Sequence, residues 1–151
     1  MSYTRLIYHI VFRTKYGTPT ISEQHETSLY RYINGYVSSR KAKLYQINGM
    51  PDHLHLLVGL PPTIAVSDFV QQLKNATHLF IEQSHALFPD FFAWSKGYCA
   101  LTYNEQEKAK IANYIKHQKS HHKQLGFVDE IKQLMVENGL YVDEAYFSRN
   151  L

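Results

Sequence analysis

Two histidines, His53 and His55, are separated by one residue within an otherwise apolar segment. In an extended chain alternate side chains lie on the same face, so both imidazoles would lie on one side of a strand, roughly 7 Å apart. Neutral imidazole nitrogens bind divalent cations, and two of them on one face can converge on a single ion. The same spacing also fits two solvated histidines, so the pair alone does not decide whether a metal binds here.

A second polar pair lies further along the chain. Tyr114 and Gln118 are four residues apart, which places them on the same side of a helix, with His121 near them. Two imidazoles and one amide oxygen would form an uncharged three-ligand site with positions open for water and a phosphate oxygen. A tyrosine oxygen beside a phosphodiester polarised in this way could attack the phosphorus. A free phenol has a pKa of about 10, so it needs a base, which the sequence does not identify.

Hydrophobic periodicity predicts the elements that must position these side chains. Alternation predicts strands at residues 6–13, 44–48 and 53–60, with further strand material at 91–94 and 97–102. Helical spacing predicts helices at 22–40, 67–87, 104–122 and 128–137. The predicted N-caps of the first three helices are Ser22, Ser67 and Asn104.

The order of the first six elements is β-α-β-β-α-β, which predicts an α+β, ferredoxin-like (RRM-like) domain. Such a domain has an antiparallel sheet with two helices on one face. We expect the other face to be free, with His53 and His55 on it, and additional C-terminal helices to carry Tyr114. An open face of this kind is a platform for single-stranded nucleic acid.

Length and composition predict one globular domain, residues 1–151. The chain is 44% hydrophobic, and no apolar run approaches the length of a membrane span. The N-terminus does not resemble a signal peptide, and the single cysteine, Cys99, excludes an internal disulfide. We therefore expect a cytoplasmic protein with no membrane partner. The formal charge of +3 is too small to indicate a nucleic-acid partner by itself.

Several basic and aromatic residues are candidates for contacts with DNA, because grooves for single strands combine cations with exposed rings. Arg13, Lys15 and Lys74 are candidates for phosphate contacts, Tyr16 or Tyr98 for base stacking, and His121 for a contact beside Tyr114. An ordinary surface or core position explains each of them equally well.

Four segments together resemble the single-tyrosine HUH transposases of the insertion-sequence-200/605 type. They are YHIVFRTKY at 8–16, MPDHLHLL at 50–57, WSKGY at 94–98 and YIKHQ at 114–118. The resemblance covers nearly the whole chain. Gly17 departs from it, because many relatives carry an arginine after the Lys-Tyr pair.

The resemblance implies a role for each site residue. His53 and His55 are the metal-binding pair, Gln118 is the third ligand, and Tyr114 is the nucleophile. Such enzymes use Mg²⁺ or Mn²⁺ to cut single-stranded DNA at hairpin-marked ends of a mobile element. They form a 5′-phosphotyrosine intermediate and rejoin strands without ATP. They recognise DNA hairpins as homodimers, in which one subunit's tyrosine helix can complete its partner's site.

Three other functions stay open at this point. A noncatalytic module for single-stranded nucleic acid would explain the fold order and the aromatic residues, but not the histidine pair. A metal-dependent hydrolase would use activated water and no covalent step. A palindrome-associated relative of the transposases is also possible, although the short C-terminal tail lacks the long basic extension expected of some of them, and so an insertion-sequence enzyme is favoured.

Overall fold

The structure is a computed structural model that describes residues 2–121 and 125–143. Its strands are β1 (Ile7–Arg13), β2 (Lys43–Met50), β3 (His53–Gly59) and β4 (Cys99–Tyr103). Its helices are α1 (Glu26–Ser39), α2 (Val66–Gln83), α3 (Lys108–Lys116), α4 (Gln118–His121) and α5 (Phe127–Glu137). Within these residues, none of the helices combines the length and apolarity needed to cross a bilayer.

The four strands form one antiparallel sheet in the order β2-β3-β1-β4. This order and the two helices packed on one face confirm the predicted ferredoxin-like α+β fold. The central strands β1 and β3 are paired along their length, so that Arg13 lies opposite His53 and Val11 lies opposite His55. The histidine pair therefore lies at the centre of the sheet rather than at its edge.

α1 and α2 cover the face of the sheet to which the leucines of β3 point. The strand residues of this core are Ile10, Phe12, Leu54, Leu56 and Val58. The helix residues packed with them include Leu29, Ile33, Phe69 and Leu73. Because alternate residues of a strand point to opposite faces, burying Leu54 and Leu56 here directs His53 and His55 to the other face.

The second face of the sheet is covered as well, which corrects the prediction of a free face. α5 packs there on β1 and β4, in a cluster of Val11, Cys99, Leu101, Phe127, Ile131 and Leu134. α3 packs beside it, in a cluster of Ile7, Leu57, Ile111 and Ile115. The apolar stripes of these two helices need a partner, and this half of the sheet supplies it.

Two of the predicted N-caps are wrong. α1 begins at Glu26, after His25, and α2 begins at Val66, after Ala65, so neither Ser22 nor Ser67 is a cap. The third is confirmed, since the Asn104 side chain accepts a hydrogen bond from the backbone of Glu107. Residues 91–93 are not strand, and next to them only an isolated bridge joins Trp94 to Thr14.

The predicted helix at 104–122 is broken at His117. A 3₁₀ turn precedes α3, and the Asn48 side chain donates a hydrogen bond to the carbonyl of Lys116, at 2.9 Å. Just past the break, Lys119 bonds to the side chains of Glu26 and Asn48, both at 3.0 Å. These contacts tie the end of α3 and the start of α4 to β2, so they fix the positions of the polar residues on both sides of the break.

Gly49 of β2 lies against the backbone of β3 at the point where that strand begins. A Cβ atom at Gly49 would lie 2.2 Å from the carbonyl oxygen of His53 and 3.0 Å from the Cα of Leu54. Both neighbours are backbone atoms that cannot rotate away. We expect Gly49→Ala to lower the free energy of unfolding by about 3 kcal/mol, as overpacking does, measured by urea denaturation.

Gly35→Ala is the matched control for that substitution. Gly35 is exposed in α1, and a Cβ atom there would meet nothing within 4 Å. Alanine loses less backbone entropy than glycine when a helix forms, so this variant should gain about 0.5–1 kcal/mol. Equal effects of the two substitutions would contradict the close approach of β2 to β3.

Candidate metal centre and tyrosine site

His53 and His55 lie side by side beneath α5, and both are completely buried. Their ring centroids are 5.1 Å apart. The alternation of β3 brings them together as the sequence predicts, and α5 excludes water from them. A buried imidazole pair of this kind requires polar partners.

The partner that the two histidines share is Glu130 of α5. Its Oε1 lies 3.1 Å from Nε2 of His55 and 3.5 Å from Nε2 of His53. The three side chains are buried, and each offers one ligand atom within 4.8 Å of the others. Two imidazole nitrogens and a carboxylate oxygen therefore point at one small volume.

Tyr114 and Gln118 meet this cluster through the other oxygen of the same carboxylate. The Tyr114 hydroxyl donates a hydrogen bond to Oε2 of Glu130. Gln118 donates to that oxygen at 2.8 Å, and its own Oε1 lies 3.3 Å from Nε2 of His53. All four residues predicted for the site thus converge within one chain.

Burial raises the pKa of Tyr114 well above the ordinary value for a phenol, and the hydrogen bond to Glu130 raises it further. The proton is therefore held on the phenol while the carboxylate beside it is negative. A positive charge placed on that carboxylate would reverse the effect, because it would favour the phenolate.

His53 has oxygen acceptors at both ring nitrogens, namely Asp52 Oδ1 at 2.7 Å and the Gln118 and Glu130 oxygens. Burial by itself lowers the pKa of this imidazole, but the hydrogen bonds to Asp52 and Glu130 outweigh burial and raise it above the ordinary value. His53 is thus positively charged at pH values where a free histidine is neutral. Its charge balances that of the buried Glu130.

His9 lies behind His55 and is also fully buried. Its Nε2 is 2.8 Å from Nδ1 of His55, and the two rings stack. Burial lowers the pKa of His9 far below the ordinary value, and the neighbouring His55 lowers it further, so His9 is neutral. The Nε2 of a neutral His9 can accept a hydrogen bond from the Nδ1–H of His55, which leaves the Nε2 lone pair of His55 available to a cation. His9 therefore supports His55 from behind, on the same face of the sheet.

These residues fit a divalent cation. Two imidazoles, a carboxylate and an amide oxygen form a donor set with one negative charge, and both histidines have hydrogen-bond partners at their second nitrogens. His53 and His55 would bind through Nε2, and Glu130 through Oε1. The nitrogen donors suit Mn²⁺ better than Mg²⁺, which prefers oxygen ligands.

Cation binding should release a proton from His53, since a ligating imidazole must be deprotonated. Because the pKa of His53 is raised, we expect the affinity for Mn²⁺ to increase as the pH rises from about 6.5 through that pKa. Without Mn²⁺ the stability has the opposite dependence: the contribution of His53 is full below the unfolded-state pKa and is lost as the pH rises through the folded-state pKa. Titration calorimetry in buffers of different ionisation enthalpy measures how many protons are released when Mn²⁺ binds.

Asp52→Asn provides the comparison for this titration. It removes a carboxylate that holds the proton on His53, so the rise in Mn²⁺ affinity should move to lower pH. An affinity that is flat with pH in both proteins would exclude His53 as a ligand.

Sequence reasoning missed Glu130. In the sequence it is one of two adjacent carboxylates in the first turn of a helix, where acidic residues are common. A signal was nevertheless present, because Glu130 falls on the apolar stripe formed by Phe127, Ile131 and Leu134. A carboxylate on a buried stripe requires a cation or several donors.

The candidates for DNA contacts are dispersed. The Arg13 guanidinium lies 5.0 Å from the centroid of the Phe127 ring, next to the histidine pair. Lys15 and Tyr16 lie on an exposed turn beyond β1. Tyr98 packs against the main core. The predicted contact of His121 falls on a side chain outside the described residues.

The Lys74 ammonium is bound by backbone carbonyls of the protein itself. It donates hydrogen bonds to the carbonyls of Ser95 at 2.8 Å and Gly97 at 2.7 Å. Burial lowers its pKa to about 8. These bonds hold the segment before β4 against α2, which gives Lys74 a structural role.

Comparison with known proteins identifies relatives of this chain. The family model described as "Transposase IS200 like" matches residues 2–118. The ISDra2 transposase TnpA of Deinococcus radiodurans is 28% identical over 121 residues, which span 76% of this chain and 84% of that protein. The transposase of insertion sequence element IS200 from Salmonella typhimurium is 30% identical over 115 residues, which span 74% and 75% of the two chains.

Two solved structures are similar in fold. A putative transposase from D. radiodurans superposes with a TM-score of 0.59 and 30% identity, over 78% of this chain and 93% of that one. A REP-associated tyrosine transposase bound to a REP hairpin superposes with a TM-score of 0.61 and 14% identity, over 94% of this chain and 86% of that one. The second likeness extends beyond residue 118, where the family match ends, and it concerns the fold alone.

Proposed function

Because the chain belongs to the IS200-like transposase family, we propose that it cleaves and rejoins single-stranded DNA at hairpin-marked ends of a mobile element. The observation that carries this proposal is the meeting of Tyr114, His53, His55 and Gln118 around Glu130. A phenol held beside a cation site is the arrangement needed for covalent phosphoryl transfer. We propose that residues 1–151 act as one domain and in the cytoplasm.

In the proposed reaction, the Tyr114 oxygen attacks the phosphorus of a phosphodiester. The O–P bond to tyrosine forms while the bond from phosphorus to the 3′ oxygen breaks. One strand leaves with a 3′-OH, and the other stays attached through a 5′-phosphotyrosine. A 3′-OH can later attack that linkage, which reverses the step and restores the phenol without ATP.

Glu130 is the proposed acceptor of the Tyr114 proton, because the phenol already donates a hydrogen bond to it. Its other oxygen faces the imidazole pair, where a Mg²⁺ or Mn²⁺ ion would polarise the phosphodiester and neutralise its charge. Since His53, His55 and Glu130 are buried, the packing of α5 must loosen before a phosphate can reach them. Gln118 holds Oε2 of Glu130 toward the phenol.

The test uses single-stranded oligonucleotides made from the DNA that flanks the gene, where the proposal predicts imperfect palindromes. Each oligonucleotide is labelled either at its 5′ end or at its 3′ end and incubated with the protein and Mn²⁺, and the products are run on a denaturing gel. We expect the 3′-labelled fragment to migrate with the protein and the 5′-labelled fragment to be released with a 3′-OH. Addition of a chelator should abolish both products.

The other functions give different gels. Release of both labelled fragments without a covalent adduct indicates hydrolysis by activated water. Retarded but uncut DNA indicates a noncatalytic binding module. Cleavage confined to palindromic hairpins dispersed outside the element's ends would favour the palindrome-associated class, whose solved relative was bound to a REP hairpin.

The resemblance to the family also predicts a homodimer, and we propose that each subunit cleaves with its own tyrosine. The support for this is that Tyr114 contacts Glu130 of the same chain. Sedimentation of the protein with and without hairpin DNA measures the assembly.

A further inference from the structure

A cation flanked by two exposed aromatic rings lies just beyond the C-terminal end of β1. Nζ of Lys15 is 5.5 Å from the centroid of the Tyr16 ring and 5.8 Å from that of the Phe92 ring. Tyr16 is 81% exposed and Phe92 is 70% exposed. Rings this large normally stabilise a protein by being buried, so packing of the core does not explain them.

The backbone at Tyr16 is in an unfavourable conformation. Its φ is +62°, in the left-handed region that bulky residues rarely adopt. The turn is held by two side-chain hydrogen bonds, from the Thr14 hydroxyl to the carbonyl of Thr18 at 2.6 Å and from the Thr18 hydroxyl to the carbonyl of Lys15 at 2.8 Å. Asparagine would adopt this conformation more readily, so the turn itself does not require an aromatic ring.

The segment that carries Phe92 is fixed to the same turn. The backbone N–H of Lys15 donates to the carbonyl of Ala93, and that of Ser95 donates to the carbonyl of Arg13, both at 2.8 Å. The two rings therefore lie on two backbone segments that hydrogen bonds hold together. Ligand binding to such a site loses little conformational entropy.

This site lies close to the proposed reaction centre. Arg13 is the cross-strand partner of His53. Lys15 follows Arg13 by two residues, so the Cα atoms of Arg13 and Lys15 are at most about 8 Å apart. A DNA strand whose phosphate reaches the imidazole pair can extend from there along the end of β1 to the two rings.

We propose that Tyr16, Phe92 and Lys15 form a binding site for unpaired nucleotides adjacent to the cleaved phosphate. The two rings stack on bases, and the Lys15 ammonium contacts the phosphate between them. Stacking on an aromatic ring accepts any base, whereas the ammonium recognises the backbone charge. This assignment rests on the proposed function for its choice of DNA as the ligand.

Fluorescence anisotropy with two probes tests the assignment. One probe is a labelled oligothymidylate of about a dozen nucleotides, and the other is an abasic strand with the same number of phosphates. A chelator prevents cleavage of either strand. We expect Tyr16→Asn and Phe92→Ala each to weaken binding of the oligothymidylate at least about five-fold, the low end for one lost base–aromatic stack. Binding of the abasic strand should not change.

Two further variants test the phosphate contact and the loss of an exposed ring elsewhere on the protein. Lys15→Gln should weaken both probes similarly, because it removes a phosphate contact. Tyr3→Asn replaces a tyrosine that is 89% exposed and precedes the other end of β1, and it should leave both affinities unchanged. The Tm of Tyr16→Asn should equal or exceed that of the parent protein, since strain is relieved.

The inference is overturned if Tyr16→Asn and Phe92→Ala bind both probes as the parent does, or weaken both equally. A lower Tm for Tyr16→Asn would also overturn it, because it would assign the ring a structural role. Failure of the proposed function is distinct, since the parent protein would then discriminate between the probes but form no covalent adduct with hairpin DNA.

Discussion

Tyr114→Phe should eliminate the covalent protein–DNA adduct, with a loss of cleavage of at least about 10⁴-fold. The substitution removes one oxygen, which is the atom proposed to attack phosphorus. Hairpin binding and Mn²⁺ binding should remain, because phenylalanine keeps the aromatic ring and leaves the imidazoles of His53 and His55 and the carboxylate of Glu130 in place. The measurement is the rate of adduct formation on a denaturing gel, together with anisotropy for DNA affinity.

Tyr103→Phe is the matched control for this variant. Tyr103 packs on the same face of the sheet, beside Tyr114 and with its ring 6.4 Å from that of His9. Its loss of a hydroxyl should leave the adduct rate within about two-fold of the parent, because that hydroxyl bonds to the Asn138 side chain and has no proposed part in the reaction. An adduct that persists in Tyr114→Phe would refute the assignment of the nucleophile, and mapping the modified peptide would identify the residue that replaces it.

Glu130→Gln should reduce the cleavage rate by about 10² to 10⁴-fold, the range associated with loss of a general base. The amide retains the size of the side chain and can still accept a hydrogen bond from Tyr114. It removes the negative charge that holds the cation and the acceptor for the phenol proton. Calorimetry should therefore show weaker binding of Mn²⁺ in the same variant.

Asp129→Asn makes the same chemical change on the same helix, one residue away and exposed. It should leave both cleavage and Mn²⁺ affinity unaltered. A faster rate in Glu130→Gln would contradict the proposed role, since it would mean that the carboxylate only restrains the phenol. The two outcomes have opposite signs, so one rate comparison separates them.

Much of the fold could be predicted from the sequence because its periodicities are strong. The alternation of β1 and β3 and the stripes of α1 and α2 identify a ferredoxin-like sheet with two helices on one face. The packing of α5 on the second face of the sheet could not be predicted in this way. Periodicity shows that a helix has an apolar face but not which surface that face will cover, and here the helix packs on the sheet face that was expected to be open.

The positions of some site residues could likewise be predicted from the sequence, and those of others could not. Spacing alone places His53 with His55, since both lie within β3. Spacing also brought Tyr114 and Gln118 together as a pair, although the structure places them on α3 and α4, on either side of the break at His117. The approach of the two pairs depends on tertiary contacts, such as those of Asn48 and Lys119 with the break after α3. Glu130 required the structure, because its proximity to both pairs follows from packing between elements distant in sequence.

The contact of Tyr114 with Glu130 of its own chain also has a genetic consequence. If each polypeptide carries a full set of reacting groups, a copy lacking its tyrosine and a copy lacking its histidines cannot complement each other when mixed. An inactivated gene copy would then not be rescued by an exchange of helices with an intact one, because each active site is built from a single chain.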